Sequence, residues 1–128
     1  MFELTINDQV YAFNFGMGFL REVNKKISTD VENLKGVKKN IGLRYMIADV
    51  IDGNPEALVE ILNAANKGQT PRVTAALLDA YIDDQNTDID ALFESVIDFL
   101  KSANATRKTT IELLEMVEAE KEKARAAK

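Results

Sequence analysis

Phe2-Glu3-Leu4-Thr5-Ile6-Asn7-Asp8-Gln9-Val10-Tyr11-Ala12-Phe13-Asn14-Phe15 is the stretch that decides the fold class. Apolar and polar residues alternate with a period of two on either side of Asn7-Asp8, the pattern of two half-buried strands. Phe2, Leu4 and Ile6 share one face of the first run; Tyr11, Phe13 and Phe15 share one face of the second. Asn and Asp tolerate the positive φ that a two-residue hairpin turn demands. A turn at 7–8 sets Ile6 opposite Gln9, Leu4 opposite Tyr11 and Phe2 opposite Phe13. Both apolar sets then fall on one side of the hairpin. Turn chemistry and residue pattern agree, and such agreement between levels marks a foldable segment.

A lone hairpin is marginal in water, so this one needs support. The rest of the chain supplies helices. Gly16 and Gly18 mark a bend, after which Leu20, Val23 and Ile27 form a helical stripe. Thr29 with Glu32 reads as a capping box opening a short turn, and Gly36 interrupts it. Leu43, Met46, Ile47 and Val50 recur at three and four residues until Gly53. Asn54-Pro55 is a start signal, with Asn as cap and Pro at the first helical position; Leu58, Ile61, Leu62 and Ala65 follow, ended by Gly68. Thr70-Pro71 repeats that signal ahead of Val73, Leu77, Leu78, Tyr81 and Ile82. Thr87 with Asp90 reads as a second capping box, with Thr87 or Asp88 as the cap of a helix from about Ile89. Its stripe is Ile89, Leu92, Phe93, Val96, Ile97 and Leu100. A last helix from about Thr106 is expected to bury Ile111, Leu113, Leu114 and Val117. Beyond Glu118 the apolar stripe ends, and residues 118–128 read as a frayed, solvated, charged tail. The expected architecture is α+β and mostly α. An N-terminal hairpin (about 2–15) precedes a compact bundle of five or six helices (about 17–117), in one domain spanning 1–117.

The chain of 128 residues contains no Cys, His or Trp. Disulfides and the usual zinc, copper, haem and iron–sulfur ligands are therefore absent, as is the commonest general base. Asp84, Asn86 and Asp88 imitate the start of an EF-hand loop, but Ile89 stands where Gly is needed and Ser95 where the bidentate Glu belongs. Acids ahead of a helix have an ordinary role at its positive end. Asp49/Asp52 and Asp88/Asp90 are carboxylate pairs by count, without an inferable pocket. Gly16-Met17-Gly18 lacks the third glycine and the Lys of phosphate-cradling loops. The sequence therefore reads as non-enzymatic, with no cofactor and no metal.

Net charge is −5, unevenly spread: residues 54–102 carry −6. That disfavours nucleic acid, whose phosphates require concentrated positive charge. The one basic cluster, Lys35, Lys38, Lys39 and Arg44 with Lys25 and Lys26 nearby, reads as solvated helix ends. Residues 71–83 and 88–100 have helix-turn-helix spacing, but the second helix turns Asp90, Glu94, Ser95 and Asp98 outward, a face that repels DNA. No apolar run reaches membrane-spanning length, and residues 1–6 open as a strand rather than as a basic leader, so a cytoplasmic, membrane-free protein is expected. Protein binding remains. The candidate binding or self-association residues are Phe2, Leu4, Tyr11 and Phe13, together with the hairpin's free edges, which suit strand addition.

The order of segments carries a resemblance. Phe2-Glu3-Leu4-Thr5-Ile6-Asn7, Tyr11-Ala12-Phe13-Asn14-Phe15-Gly16-Met17-Gly18-Phe19-Leu20-Arg21-Glu22, Gly42-Leu43-Arg44-Tyr45-Met46-Ile47, Leu58-Val59-Glu60-Ile61-Leu62-Asn63-Ala64-Ala65-Asn66 and Asp88-Ile89-Asp90-Ala91-Leu92-Phe93 together resemble a family of bacteriophage tail assembly chaperones. The likeness runs to about Val117 and is one of overall pattern. It implies a protein of long-tailed, siphovirus-type phages or prophages, working in the bacterial host cytoplasm and absent from the mature virion. Its implied partners are the tape measure protein, which it keeps soluble, and the major tail protein, which it helps recruit. The resemblance further implies that some of the product carries a frameshifted C-terminal extension, this chain being the short form. No binding residue carries over by motif. The alternatives are a structural head or tail component retained in the particle, or a small non-catalytic regulator.

Overall fold

A computed structural model describes residues 1–30 and 41–126. Strand β1 (Phe2–Ile6) pairs antiparallel with β2 (Gln9–Phe13) in the expected register, Phe2 opposite Phe13, Leu4 opposite Tyr11 and Ile6 opposite Gln9. Asn7 and Asp8 take φ of 52° and 65°, the paired positive values of a type I′ turn, whose twist matches that of the flanking strands. Phe2, Ile6 and Phe13 are buried, Leu4 and Tyr11 pack half-buried against the same core, and Glu3 and Thr5 face solvent.

Six helices follow among the described residues: α1 (Met17–Asp30), α2 (Ile41–Ile51), α3 (Pro55–Asn66), α4 (Ala75–Asp83), α5 (Ile89–Ser102) and α6 (Arg107–Ala126). Helix α3 lies against α1, α2, α4 and β2, while α2 also meets α5 and α6. These two central helices therefore bury the most: Leu43, Met46, Ile47 and Val50 from α2, and Leu58, Ile61, Leu62 and Ala65 from α3. Gly53 and Gly68 leave these helices at φ of +83° and +86°, a left-handed exit that costs glycine nothing. Asn54 caps α3 through its side-chain oxygen, which accepts from the Glu56 and Ala57 amides. Val23 of the α1 stripe is buried and Leu20 partly so; Ile27's side chain, the Thr29–Glu32 box and Gly36 fall outside the described part.

Three expectations need correction. Thr70-Pro71 does not open a helix; α4 begins four residues later, with Thr74 accepting from the Leu77 amide. The cause is tertiary. The side chain of Asn66, fully buried, accepts from the Val73 amide at 2.6 Å and donates to the Pro71 carbonyl at 3.3 Å and the Ala12 carbonyl at 2.9 Å. A helix begun at Pro71 would commit the Pro71 carbonyl to the Ala75 amide and offer the Val73 amide to a Thr70 cap, in competition with Asn66. Residues 71–73 are instead a non-helical strap that delivers Val73 to the core.

At α5 the cap is Asp88, which accepts from the Ala91 amide. Thr87 does not form a capping box with Asp90, because its hydroxyl donates to the Tyr81 carbonyl at 2.6 Å and ties the α4–α5 connection.

Helix α6 departs most. Ile111, Leu113, Leu114 and Val117 are only half-buried, since α6 lies across α2 and α5 at the edge of the body with no other described element packed broadly on it. What is buried there is polar: the Thr106 hydroxyl donates to the Leu100 carbonyl at 2.6 Å, and that of Thr110 to the Thr106 carbonyl at 2.8 Å. The helix also continues through Ala126, fully solvated from Glu118 on, where a frayed tail is expected. Extending a helix already nucleated by its packed half avoids the nucleation cost, and Ala, Glu, Lys and Arg are strong helix formers.

Candidate protein-binding groove

Where the hairpin ends, α1 begins and α5 turns into α6, the chain leaves an open groove of about 510 Å³. Its floor is aromatic. The Phe2 ring lies 5.8 Å from Phe13, 6.2 Å from Phe15 and 5.0 Å edge-on from Phe99, and Phe15 meets Phe19 edge-on at 5.2 Å. Local sequence explains the cluster. Residues 13 to 15 continue the β2 direction after pairing stops, so Phe13 and Phe15 point the same way. Gly16 then starts α1, its carbonyl accepting from the Leu20 amide.

The rim is apolar and exposed: Met1 at 69%, Met17 at 50% and Phe99 at 37% of full accessibility. Ser102 to Ala105 form the opposite wall, the Ser102 hydroxyl already donating to the Asp98 and Phe99 carbonyls. No acidic or basic side chain lines the groove. Methionine is unbranched and polarisable, so a Met–Phe rim adapts to apolar side chains of varied shape.

Of the four residues proposed from sequence, the groove unites Phe2 and Phe13 as floor, both largely sequestered in the core. Leu4 and Tyr11 lie outside it, half-buried along the hairpin. The rim went unread. Phe99 sits one position off the buried Leu92–Val96–Leu100 stripe, among Asp98 and Ser102, and an aromatic on a polar flank was its only signal. The hairpin edges also differ from each other. That of β2 is covered by the end of α3, with the Asn14 amide donating to the Ala65 carbonyl at 2.8 Å and Ala12 bonded to Asn66. Backbone groups on the outer edge of β1 have no such hydrogen bonds among the described residues, and its Thr5–Asn7 end borders a recess toward α4 and the α4–α5 connection.

A second apolar recess, lined by Lys101, Ile111, Leu114, Glu115 and Glu118, lies between α5 and α6. Met116 stands exposed on α6, and Arg44 of α2 pairs with Glu112 at 3.1 Å. Lys35, Lys38 and Lys39 lie outside the described residues. Helix α4 packs on α3, while α5 packs on α2 and α6, so the pair at 75–102 is not a helix-turn-helix unit.

The acidic stretch is occupied with backbone: Asp84 accepts from the Asn86 amide at 2.9 Å while Asp88 caps α5. Asp49, Asp52, Asp88 and Asp90 are all exposed, and no group of acids among the described residues is placed to hold a metal ion. One carboxyl is perturbed. Lys67, hydrogen-bonded to Glu22 at 2.9 Å, holds it below its ordinary value against a smaller opposing effect of burial. That pair joins α1 to the end of α3 at the surface. No helix among the described residues is long and apolar enough to cross a membrane.

Residues 3–115 match the family model of the phage tail assembly chaperone proteins. No curated protein and no solved structure matches the chain.

Proposed function

The chain belongs to the phage tail assembly chaperone family, and we propose that it binds the tape measure protein through the Met1–Met17–Phe99 groove and keeps it soluble until the tail forms. The observation that carries this reading is the groove itself: aromatic floor, methionine rim and no acidic or basic side chain in its lining. A tape measure protein is a long helical rod whose apolar stripe remains uncovered before tail subunits surround it. Apolar side chains from such a helix suit a groove of about 510 Å³, and methionines accommodate successive, non-identical segments. The process is binding alone and calls on neither nucleotide nor metal.

Release matters as much as capture. A contact confined to a small groove is a transient one, and an affinity near micromolar, about −8 kcal/mol, lets polymerising tail subunits displace it. Recruitment of major tail protein needs a second surface, for which the α5–α6 recess beside Lys101, Ile111 and Leu114 is the candidate. The work is done in the host cytoplasm, and the chaperone leaves before the virion is complete.

The test is coexpression with the tape measure protein of the same phage genome, scoring its soluble fraction with wild type, with Met17→Glu and with no chaperone. Wild type should solubilise it and Met17→Glu should not, although the variant folds normally. The reading fails if the tape measure stays insoluble with both chaperone forms present. It also fails if the chain copurifies stoichiometrically with finished tails, which is the behaviour of a structural component.

A further inference from the structure

The two edges of the hairpin are unequal in a way that selects a partner. In a two-residue turn the Ile6 carbonyl accepts from the Gln9 amide, which makes Ile6–Gln9 a hydrogen-bonded pair. Alternation makes Leu4–Tyr11 and Phe2–Phe13 hydrogen-bonded as well. The backbone groups of Glu3 and Thr5 therefore point away from β2, and those of Val10, Ala12 and Asn14 point away from β1. The bonds of Ala12 and Asn14 to α3 agree with this parity. On the β1 side the corresponding groups have no hydrogen-bond partner among the described residues, and Thr5 borders a recess of about 420 Å³ whose far wall is α4 and the α4–α5 connection.

Exposed strand edges are normally blunted by Lys, Pro or a bulge, because an open one recruits another strand. Strand β1 carries no Lys, Pro or bulge and runs in unbroken register; its one charged side chain, Glu3, meets Thr5 and not another acid in the pairing that follows. We infer that β1 pairs antiparallel with β1 of a second copy of this chain, about a twofold axis through Leu4, making one four-stranded sheet across two molecules.

The register follows from the outward groups. Centred on Leu4, Glu3 exchanges both backbone bonds with the partner's Thr5, and Thr5 does the same with the partner's Glu3. Such a contact is isologous and closes. Leu4 then faces the partner's Leu4 at a non-hydrogen-bonded position, where side chains approach closest. Both are half-buried in the single chain, so the pairing covers apolar surface the monomer leaves open. Centring on Glu3 instead would set like charges opposite each other, which opposes pairing. Centring on Thr5 would require Asn7, at φ 52°, to continue the strand, which it cannot. Of the registers centred on Glu3, Leu4 and Thr5, that on Leu4 satisfies backbone, charge and turn together.

The inference does not depend on the tape measure reading, and its test contains no phage partner. Sedimentation of the full chain over a range of concentrations should show a monomer–dimer equilibrium. Thr5→Pro removes one outward amide and blocks the edge without touching an internal hydrogen bond, and should weaken dimerisation at least tenfold. Val10→Pro makes the same change on the other edge and should leave it unaltered. Amide exchange in the wild type is the independent readout: Glu3 and Thr5 should slow with rising concentration while Val10 stays fast. A wild type that remains monomeric at high concentration, with Glu3 and Thr5 exchanging freely, overturns the inference. So does a folded Thr5→Pro that dimerises as wild type does. Should Thr5→Pro fail to fold, the wild-type exchange data decide.

Discussion

Replacing Asn66 by Ala should be among the most damaging polar substitutions in the chain, although Asn66 touches no ligand and lies outside the groove. Its side chain, fully buried at the end of α3, is where the hairpin, the central helix and the strap leading to α4 meet. The amide group donates to the Ala12 and Pro71 carbonyls, and its oxygen accepts from the Val73 amide and from Arg72 at 2.9 Å. Alanine keeps the helix and removes all four bonds. The Val73 amide is buried with no alternative partner, and stranding such a donor costs ~1–3 kcal/mol. The Ala12 carbonyl is only partly buried, so water replaces some of its loss and ~1 kcal/mol is reasonable there. The Pro71 bond, at 3.3 Å, adds little. The total is ~3 kcal/mol, a large share of the ~5–15 kcal/mol that holds a typical domain folded.

Urea unfolding measures this directly. With a slope of ~1.5 kcal/mol/M for a domain of this size, the midpoint should fall by ~2 M. Arg72→Ala is the companion variant. It removes an exposed guanidinium but leaves the Val73 and Ala12 bonds intact, and should cost under ~1 kcal/mol. Amide exchange in Asn66→Ala should loosen at Asn14, on the edge of β2 that α3 covers, before it loosens in α5. If Asn66→Ala loses less than ~1 kcal/mol, or if Arg72→Ala accounts for most of the loss, the side chain is not the clamp described and the late start of α4 needs another cause.

Phe13→Asp should destabilise by several kcal/mol, because a charge without a partner would sit at a fully buried position; an unchanged melting temperature would remove the hairpin from the core. Asp88→Ala should cost ~1 kcal/mol as a lost cap, and millimolar calcium should leave the wild-type melting temperature unmoved, which a clear rise would contradict. Ending the chain at Val117 should shift the melting temperature by only a few degrees, since the solvated end of α6 touches no core, while helical circular dichroism falls with the lost turns. The Glu22–Lys67 pair lowers the folded carboxyl pKa. Its contribution is therefore complete above the ordinary value of 4.5 and fades as pH drops through the lowered folded value. Both groups are substantially exposed, so Glu22→Gln should flatten the acid limb of the stability curve by under ~1 kcal/mol.

The hairpin was legible because two local facts fixed it independently: a turn dipeptide that accepts positive φ, and alternation that leaves one register with all apolar residues on one side. The core of α2 and α3 was legible because each stripe is bounded by chemistry read within a few residues, Gly53 and Gly68 at the ends and Asn54-Pro55 at a start. The start of α4 was not, although Thr70-Pro71 looks like Asn54-Pro55. A local signal held in the second case and yielded in the first, because Asn66 competes for the Val73 amide from seven residues away in sequence. Periodicity at α6 showed that an apolar side exists but not how much of it a neighbour covers. Ile111 and Leu114 therefore sat in the expected core and stand at its border.

The groove escaped for a related reason, and that reason bears on what it does. Core-seeking patterns find residues by their regularity, and a binding rim is assembled from the residues those patterns leave over. Met1 precedes the strand, Met17 follows the bend, and Phe99 flanks the α5 stripe. None is required to specify the hairpin or the helix it borders, yet the fold draws all three around one aromatic floor. Irregular apolar residues that the core does not demand, gathered around one groove, are what the proposed binding surface is built from. The β1 edge has the same character: among the described residues no hydrogen bond uses the outward backbone groups of Glu3 and Thr5, and no Lys, Pro or bulge interrupts the strand. The two surfaces rest on different chemistry, side-chain packing in one and backbone pairing in the other. Met17→Glu and Thr5→Pro should therefore act separately, the first losing the rod-like partner while dimerisation persists, and the second losing the dimer while the groove still binds. If either variant abolished both activities without unfolding the chain, the groove and the edge would be one interface.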